Sequence, residues 1–356
     1  MIFNRIYDII FYTKGHSKRV NVRYYMNNEV KSNITNEEVE KSIEIINNLS
    51  NYYDQRIVGQ KNLKNALIIS FMIGGHILLE SVPGLAKTTG AKVLTDAVSA
   101  KFSKIQCTSD LLPSDIVGTQ IFNYSSNKFE TIIGPINANF VLLDEVNRSS
   151  AKTQSAMLEV MQEKKVTIAG ITYKMPDPFV VIATQNPIEQ EGTYLLSEAQ
   201  TDRFVLKEII DYPTPEEEVT ILDRIESGII DTIKPVMKVD SILYLQGIVK
   251  RVYVDESIKK YITTIIDATR HPSNYISPDL AKYVELGSSP RGGISIMNVA
   301  KAIALWNKRT YVTPDDCKAM IHSILRHRIA LNYAAVADDI KVEQIIDSIM
   351  GAINTP

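Results

Sequence analysis

The chain is predicted to fold as an open α/β domain on a parallel five-stranded sheet, followed by a smaller all-helical domain. Three observations predict this. Five short apolar runs, Ile77–Leu79, Phe102–Gln106, Phe140–Leu143, Phe179–Ala183 and Phe204–Leu206, alternate with helical patterns, which is how strands buried on both faces read. After Asp211, Tyr212-Pro213-Thr214-Pro215 makes a stiff break, with Glu216-Glu217-Glu218 in the first turn of a new helix. Beyond that break only helical periodicity is found, near 214–227, 238–250, 255–269, 292–308, 315–329 and 340–351.

Length and composition bound the function. The 356 residues suffice for two packed domains. A formal net charge of −2 gives no global field to recruit nucleic acid, so no nucleic-acid partner is expected. Cys107 and Cys317 stand far apart with no CxxC or Cys/His cluster, as in a cytosolic protein with reduced thiols. No apolar run is long enough for a membrane span. Arg5, Asp8, Lys14, Lys18 and Arg19 interrupt the stretch a signal peptide would need, so a cytoplasmic location is expected.

Three regions follow. Residues 1–34 form a basic extension in which Ile2, Ile6, Ile9 and Ile10 fit one face of a short amphipathic helix. Thr35-Asn36-Glu37-Glu38 then reads as a capped helix start, opening the α/β domain of 35–211. Residues 212–356 make up the helical domain.

The most informative stretch is Ile77-Leu78-Leu79-Glu80-Ser81-Val82-Pro83-Gly84-Leu85-Ala86-Lys87-Thr88-Thr89. A buried strand feeds a tight loop and then a helix start, where backbone N–H groups converge on an anion. Gly84 permits close approach, Lys87 would reach the terminal phosphates of ATP, and the Thr88 hydroxyl would bind Mg²⁺. The strict phosphate-loop pattern GxxxxGK[ST] is not met, since Ser81 and Ala86 replace its two glycines. Downstream, Phe140-Val141-Leu142-Leu143-Asp144-Glu145 is a strand ending in two acids, where open α/β sheets bind ligands. Asp144 suits a metal shell and Glu145 suits a general base for water.

Beyond these motifs, several ordered blocks resemble the MoxR group of AAA+ ATPases. They are Ser109-Asp110-Leu111-Leu112-Pro113-Ser114-Asp115-Ile116-Val117-Gly118-Thr119, Leu142 to Arg148, Thr153 to Glu163, and Ala183-Thr184-Gln185-Asn186-Pro187. Glu198 to Phe204, Gly287-Ser288-Ser289-Pro290-Arg291 and His327-Arg328-Ile329 continue the series, so the similarity spans roughly residues 40–335 in order. The resemblance implies a P-loop (AAA+) nucleotide-binding domain followed by a helical lid. By position it implies that Val58, Gly59 and Gln60 cover the adenine and that Asn186 is the sensor holding the attacking water. It likewise makes Arg203 an arginine finger reaching a neighbouring subunit and Arg291 the second sensor arginine. Arg148 is a further arginine candidate, and a surface salt bridge is the alternative for Arg203 and Arg291.

Two hairpins interrupt a minimal nucleotide-binding domain, near 114–135 and 165–175. The first runs from Asp115 to Tyr124, turns at Ser125-Ser126-Asn127 and returns over Lys128 to Ile133; the second turns at Ala169-Gly170. The resemblance implies that they face a channel or client; bracing a subunit interface is the alternative. His322 and His327, five apart, do not share a helix face, which disfavours a metal site there. The function implied is ATP hydrolysis by a hexameric ring of this chain, a chaperone-like remodeller or assembly factor. A protein with a von Willebrand factor A domain and an unidentified protein client would be its partners. A magnesium-chelatase-like ATPase subunit and a nucleotide-gated binding module with little hydrolysis are the alternatives.

Overall fold

The computed structural model describes residues 33–82, 87–187 (Lys87 through its backbone alone), 193–226 and 234–356, with the backbone of 9–13 and 16–20. In the basic extension, β1 (Ile9–Thr13) and β2 (His16–Val20) pair antiparallel. This corrects the helix expected at Ile9 and Ile10, while Ile2 and Ile6 lie outside the described residues. The run Ile9-Ile10-Phe11-Tyr12-Thr13 is β-branched and aromatic almost throughout, which favours pleated backbone.

Helix α1 (Asn36–Asp54) begins at the expected cap. The Thr35 amide donates to the Glu38 carboxylate at 2.8 Å, and the Glu38 amide donates back to the Thr35 hydroxyl at 3.2 Å. Helix α2 (Lys61–Ile73) leads to β3 (Ile77–Glu80), α3 (Lys87–Asp96), β4 (Val98–Ser99) and β5 (Phe102–Gln106). Then come α4 (Pro113–Val117), β6 (Gly118–Asn123), β7 (Lys128–Ile133) and β8 (Phe140–Asp144). After these stand α5 (Ala151–Glu163), β9 (Lys165–Ile168), β10 (Ile171–Lys174), β11 (Val180–Gln185), α6 (Glu198–Thr201) and β12 (Leu206–Ile209).

Five strands form one parallel sheet in the order β12–β3–β11–β8–β5, drawn from the five apolar runs. Alternate residues feed opposite cores. Leu78, Val141, Leu143, Val181 and Ala183 pack with Met157, Leu158 and Met161 of α5. Ile77, Leu79, Phe140, Leu142, Val180 and Ile182 pack on the other face, in a core that continues through α1 and α2 into the C-terminal helices.

The first hairpin starts later than expected. Residues 115–117 belong to α4, and β6 begins at Gly118. Pro113 occupies the first turn and the Asp115 carboxylate accepts from the Leu112 amide at 2.9 Å, which is a helix-start arrangement. The second hairpin turns at Ala169-Gly170, both with positive φ, as a tight two-residue turn requires.

The C-terminal region comprises α7 (Pro215–Glu226), β13 (Met237–Lys238), α8 (Val239–Arg251), α9 (Glu256–Arg270), α10 (Pro278–Ala281) and β14 (Val284–Leu286). It continues with α11 (Pro290–Trp306), α12 (Pro314–Lys318), α13 (Ile321–Leu325), β15 (Ala330–Leu331), α14 (Tyr333–Ala337) and α15 (Val342–Ala352). It is helical as expected, with three strands of two or three residues added. The helix expected over 315–329 is divided at Met320, whose φ of −129° leaves the helical region.

His76 anchors the start of β3. Its Nδ1 accepts from the Val181 amide at 3.0 Å, so Nε2 carries the proton and donates to the Met161 carbonyl at 3.0 Å. Burial pushes the imidazole down to about 4. The folded state therefore resists a proton that the unfolded state accepts below its ordinary value near 6.5. The neutral ring's stabilisation is full above that value and is lost as pH falls towards 4. At pH 5 the loss is expected to be about 2 kcal/mol relative to pH 7.5. Urea midpoints at the two pH values would show it, and His76→Gln, without a titrating ring, should shrink the difference.

Candidate nucleotide site

The C-terminal ends of β3, β11 and β8 bring together groups far apart in sequence. Thr88, in the first turn of α3, directs its hydroxyl at both oxygens of Asp144, 3.3 Å from each. Thr184, near the end of β11, donates to Asp144 Oδ1 at 2.7 Å. Lys104 of β5 reaches Asp144 Oδ2 at 2.8 Å, because Gln106 stands opposite Asp144 in the parallel register and Lys104 lies two residues before it. Burial raises the Asp144 carboxyl, but the hydrogen bonds from Lys104 and Thr184 outweigh it and hold it below the usual carboxylate range. Asp144 is thus ionised at neutral pH.

Glu145 leaves the strand in the left-handed region, with φ 57° and ψ 53°. This is uncommon for a residue with a side chain and turns Glu145 out of the sheet plane. Its carboxylate accepts from Gln106 Nε2 at 3.1 Å and lies 3.4 Å from an Arg148 guanidinium nitrogen. Asn186 follows β11 directly and is buried; its carbonyl accepts from Asn147 Nδ2 at 3.2 Å.

Upstream, Ser81 is buried, its hydroxyl donating to the Val82 carbonyl at 2.9 Å, and Val82 packs on the core. Thr89 is exposed. Pro83, Gly84, Leu85 and Ala86 lie outside the described residues, and Lys87 is described only as the first residue of α3. Val58, Gly59 and Gln60 lie beside this end of the sheet, since Gln60 Nε2 donates to the carbonyl of Asp211, two residues past β12. Gly59 has φ 65°, and a Cβ there would lie 2.3 Å from the Glu217 carboxylate, so the loop sits against the first turn of α7.

Arg203 and Arg291 are elsewhere. β12 runs parallel to β3 with Leu206 opposite Ile77, and the Val205 amide bonds the His76 carbonyl. Arg203 therefore stands at the N-terminal end of the sheet, and Asp144 and Glu145 at the other. Arg203 Nη1 donates to the Leu158 carbonyl at 3.2 Å and to Gln162 Oε1. Arg291 joins that same end by pairing with Asp202 at 3.4 Å. Asp202 also accepts from the Ser289 hydroxyl at 2.8 Å and from Arg328 at 2.9 Å. Burial pulls the Arg328 guanidinium down to about 10, while Asp202 pulls it up.

His322 pairs with Asp347 at 2.8 Å, and His327 is buried with Nε2 3.1 Å from the Phe204 carbonyl, so the two serve different contacts. Among the described residues no group of three or more metal-ligating His, Cys, Asp or Glu occurs. Mg²⁺ at a phosphate site needs only one carboxylate and a hydroxyl beside the phosphates. The hard oxygens of Thr88 and Asp144, already facing one another and a lysine ammonium, fit that demand. No helix among the described residues is long and apolar enough to cross a membrane.

The sequence reading missed Lys104, Gln106 and Thr184. Gln106 and Thr184 are polar residues at or next to the ends of their strands, which hinted at them, whereas Lys104 lies inside β5 without such a signal.

A five-stranded parallel sheet with an acid pair closing one strand, a glycine-containing loop between another strand and a helix, and a helical region behind defines an AAA+ P-loop ATPase. The description "ATPase family associated with various cellular activities (AAA)" matches residues 76–206, and "AAA lid domain" matches 279–349. Chaperone MoxR1 of Mycobacterium tuberculosis is 43% identical over 301 residues, covering 84% of this chain and 79% of that protein. YeaC of Bacillus subtilis, an uncharacterized protein, is 43% identical over 318 residues, covering 89% and 94%. A crystal structure from Cytophaga hutchinsonii, described as a candidate ATPase, is 43% identical with a TM-score of 0.84, covering 90% of this chain and 97% of that one. The chain belongs to the MoxR family of AAA+ ATPases.

Proposed function

We propose that this chain hydrolyses ATP as one subunit of a hexameric ring and acts as a chaperone-like remodeller or assembly factor for a protein client. The observation that carries the reading is the separation within one subunit. Thr88, Asp144 and Glu145 gather at one end of the sheet, and Arg203 and Arg291 at the other. Arg148, at the same end as the acids, already contacts Glu145, so a phosphoryl-transfer site that draws on Arg203 or Arg291 is complete only where two subunits meet. Residues 35–211 act as the nucleotide-binding domain and 212–356 as the lid. Val58 to Gln60 cover the base, the loop from Ser81 to Thr89 holds the phosphates, and Asn186 positions the water.

In this mechanism Glu145 accepts a proton from the water as its oxygen bonds to the γ-phosphorus, the bond from that phosphorus to the β–γ bridging oxygen breaks and ADP leaves, while Gln106 and Arg148 hold the Glu145 carboxylate. Thr88 and Asp144 would hold Mg²⁺, which when bound neutralises charge on the phosphates. Arg203 and Arg291 face the neighbouring subunit's phosphates. The first hairpin exposes Tyr124 (88%) and Phe129 (67%), with Phe122 stacked edge-on between them at 5.2 Å, which supports a client-facing role. A partner with a von Willebrand factor A domain belongs to the same reading, and the name "chaperone" of the Mycobacterium tuberculosis relative accords with it.

The test is Glu145→Gln. The amide cannot take the proton, so phosphate release is expected to fall roughly 10²–10⁴-fold while ATP binding is retained. Turnover near that of the unaltered chain would place the base elsewhere.

A further inference from the structure

We propose that Thr184 is a positioning residue whose single hydroxyl sets both acids of the nucleotide site. This rests on the roles proposed above for Asp144 and Glu145. The hydroxyl donates to Asp144 Oδ1 at 2.7 Å and accepts from the Glu145 backbone amide at 2.9 Å. A hydroxyl has one proton to give, so the roles are fixed: the proton goes to the carboxylate and a lone pair takes the amide.

The need for this bridge follows from the backbone. β8 ends at Asp144, and Glu145 adopts φ 57°. At that turn the Glu145 amide leaves the ladder with β11, and a part-buried amide requires another partner. Thr184 is fully buried on β11, one residue past the pair Ala183–Leu143, which puts its side chain level with the turn. Its hydroxyl thereby holds the left-handed backbone that sends Glu145 away from Asp144, and it fixes the rotation of the Asp144 carboxylate. Lys104 and Thr88 share the same carboxylate but come from exposed and half-buried positions, whereas Thr184 is locked within the sheet. Valine has the same shape and suits a strand, yet it offers neither hydrogen bond.

The full chain is examined as Thr184→Val, Thr184→Ala and Thr184→Ser, with Lys87→Ala and Glu145→Gln as controls. A fluorescent ATP analogue is titrated in EDTA and in Mg²⁺, phosphate release is followed, and thermal melting is recorded. Thr184→Val should keep its affinity in EDTA within about threefold of the unaltered chain, since no phosphate contact is lost. Its Mg²⁺-dependent gain in affinity and its turnover should each fall roughly 10–100-fold, as when the partner of a metal ligand is removed. Thr184→Ser, which keeps the hydroxyl, should recover most of both. Thr184→Ala replaces the valine variant if that does not fold.

Valine turnover equal to the unaltered chain's, or no difference between valine and serine, would overturn the inference. So would loss of EDTA affinity in parallel with turnover, or failure of both valine and alanine forms to fold, since Thr184 would then serve only the fold. The controls separate the levels. If Lys87→Ala still binds the analogue and Glu145→Gln still hydrolyses, the reading of the site itself is wrong. If they behave as expected and valine is silent, only the role of Thr184 is lost.

Discussion

Replacing Lys87 with alanine is expected to weaken ATP binding severely. Lys87 is the first residue of α3, and the first backbone amides of a helix have no partner within it. One residue later, Thr88 already points at Asp144, so the start of α3 is oriented towards the carboxylate end of the sheet. An ammonium here would meet the terminal phosphates, and a hydrogen bond to a charged group left unmade commonly costs about 1.5–3 kcal/mol. The loss in nucleotide affinity should reach roughly 10–100-fold or more by that measure, with no comparable loss of thermal stability without nucleotide. Titration with a labelled ATP analogue, alongside a melting curve, measures both. Unchanged affinity would remove the phosphate-loop assignment, and the function built on it.

The second large effect concerns the arginines. Arg203→Ala and Glu145→Gln should each be nearly inactive alone, since an arginine finger can be worth about 10³–10⁵ in rate. Mixed, they should recover. An Arg203→Ala subunit still offers a complete phosphate site, and a Glu145→Gln subunit still offers its arginine to a neighbour. In an equal mixture about a quarter of the interfaces should pair two intact halves, if assembly is random around a ring. Activity of the unaltered chain should also fall steeply on dilution, because only assemblies carry whole sites. Phosphate release against mixing ratio is the measurement, after co-assembly has been verified. Flat activity near zero at every ratio would mean that Arg203 serves only to tie α5 to the segment before β12, through Leu158 and Gln162. Arg291, half-exposed beside Asp202, is then the next arginine to mix. Arg148 would come last, since it already contacts Glu145 of its own subunit.

The sequence alone determined the parts whose cause is local. Short apolar runs became strands because a buried parallel strand needs no alternation, and Thr35 and Glu38 capped a helix because three residues separate them. Thr88, Asp144 and Glu145 stood out as candidate site residues because strand ends and helix starts are where open α/β sheets place ligands. Ile9 and Ile10 misled because helical spacing and a β-branched run coincide over so few residues. What only the tertiary structure decided is register and end. Lys104 and Gln106 serve the acids because β5 lies beside β8 with Gln106 opposite Asp144, a pairing across 38 residues that no local pattern encodes. Thr184 bridges both acids only once Glu145 has turned left-handed. Arg203 and Arg291 were named by position, but their place at the far end of the sheet follows from the parallel direction of β12 and the pull of Asp202, because side chains distant along the chain meet only where packed strands and helices carry them.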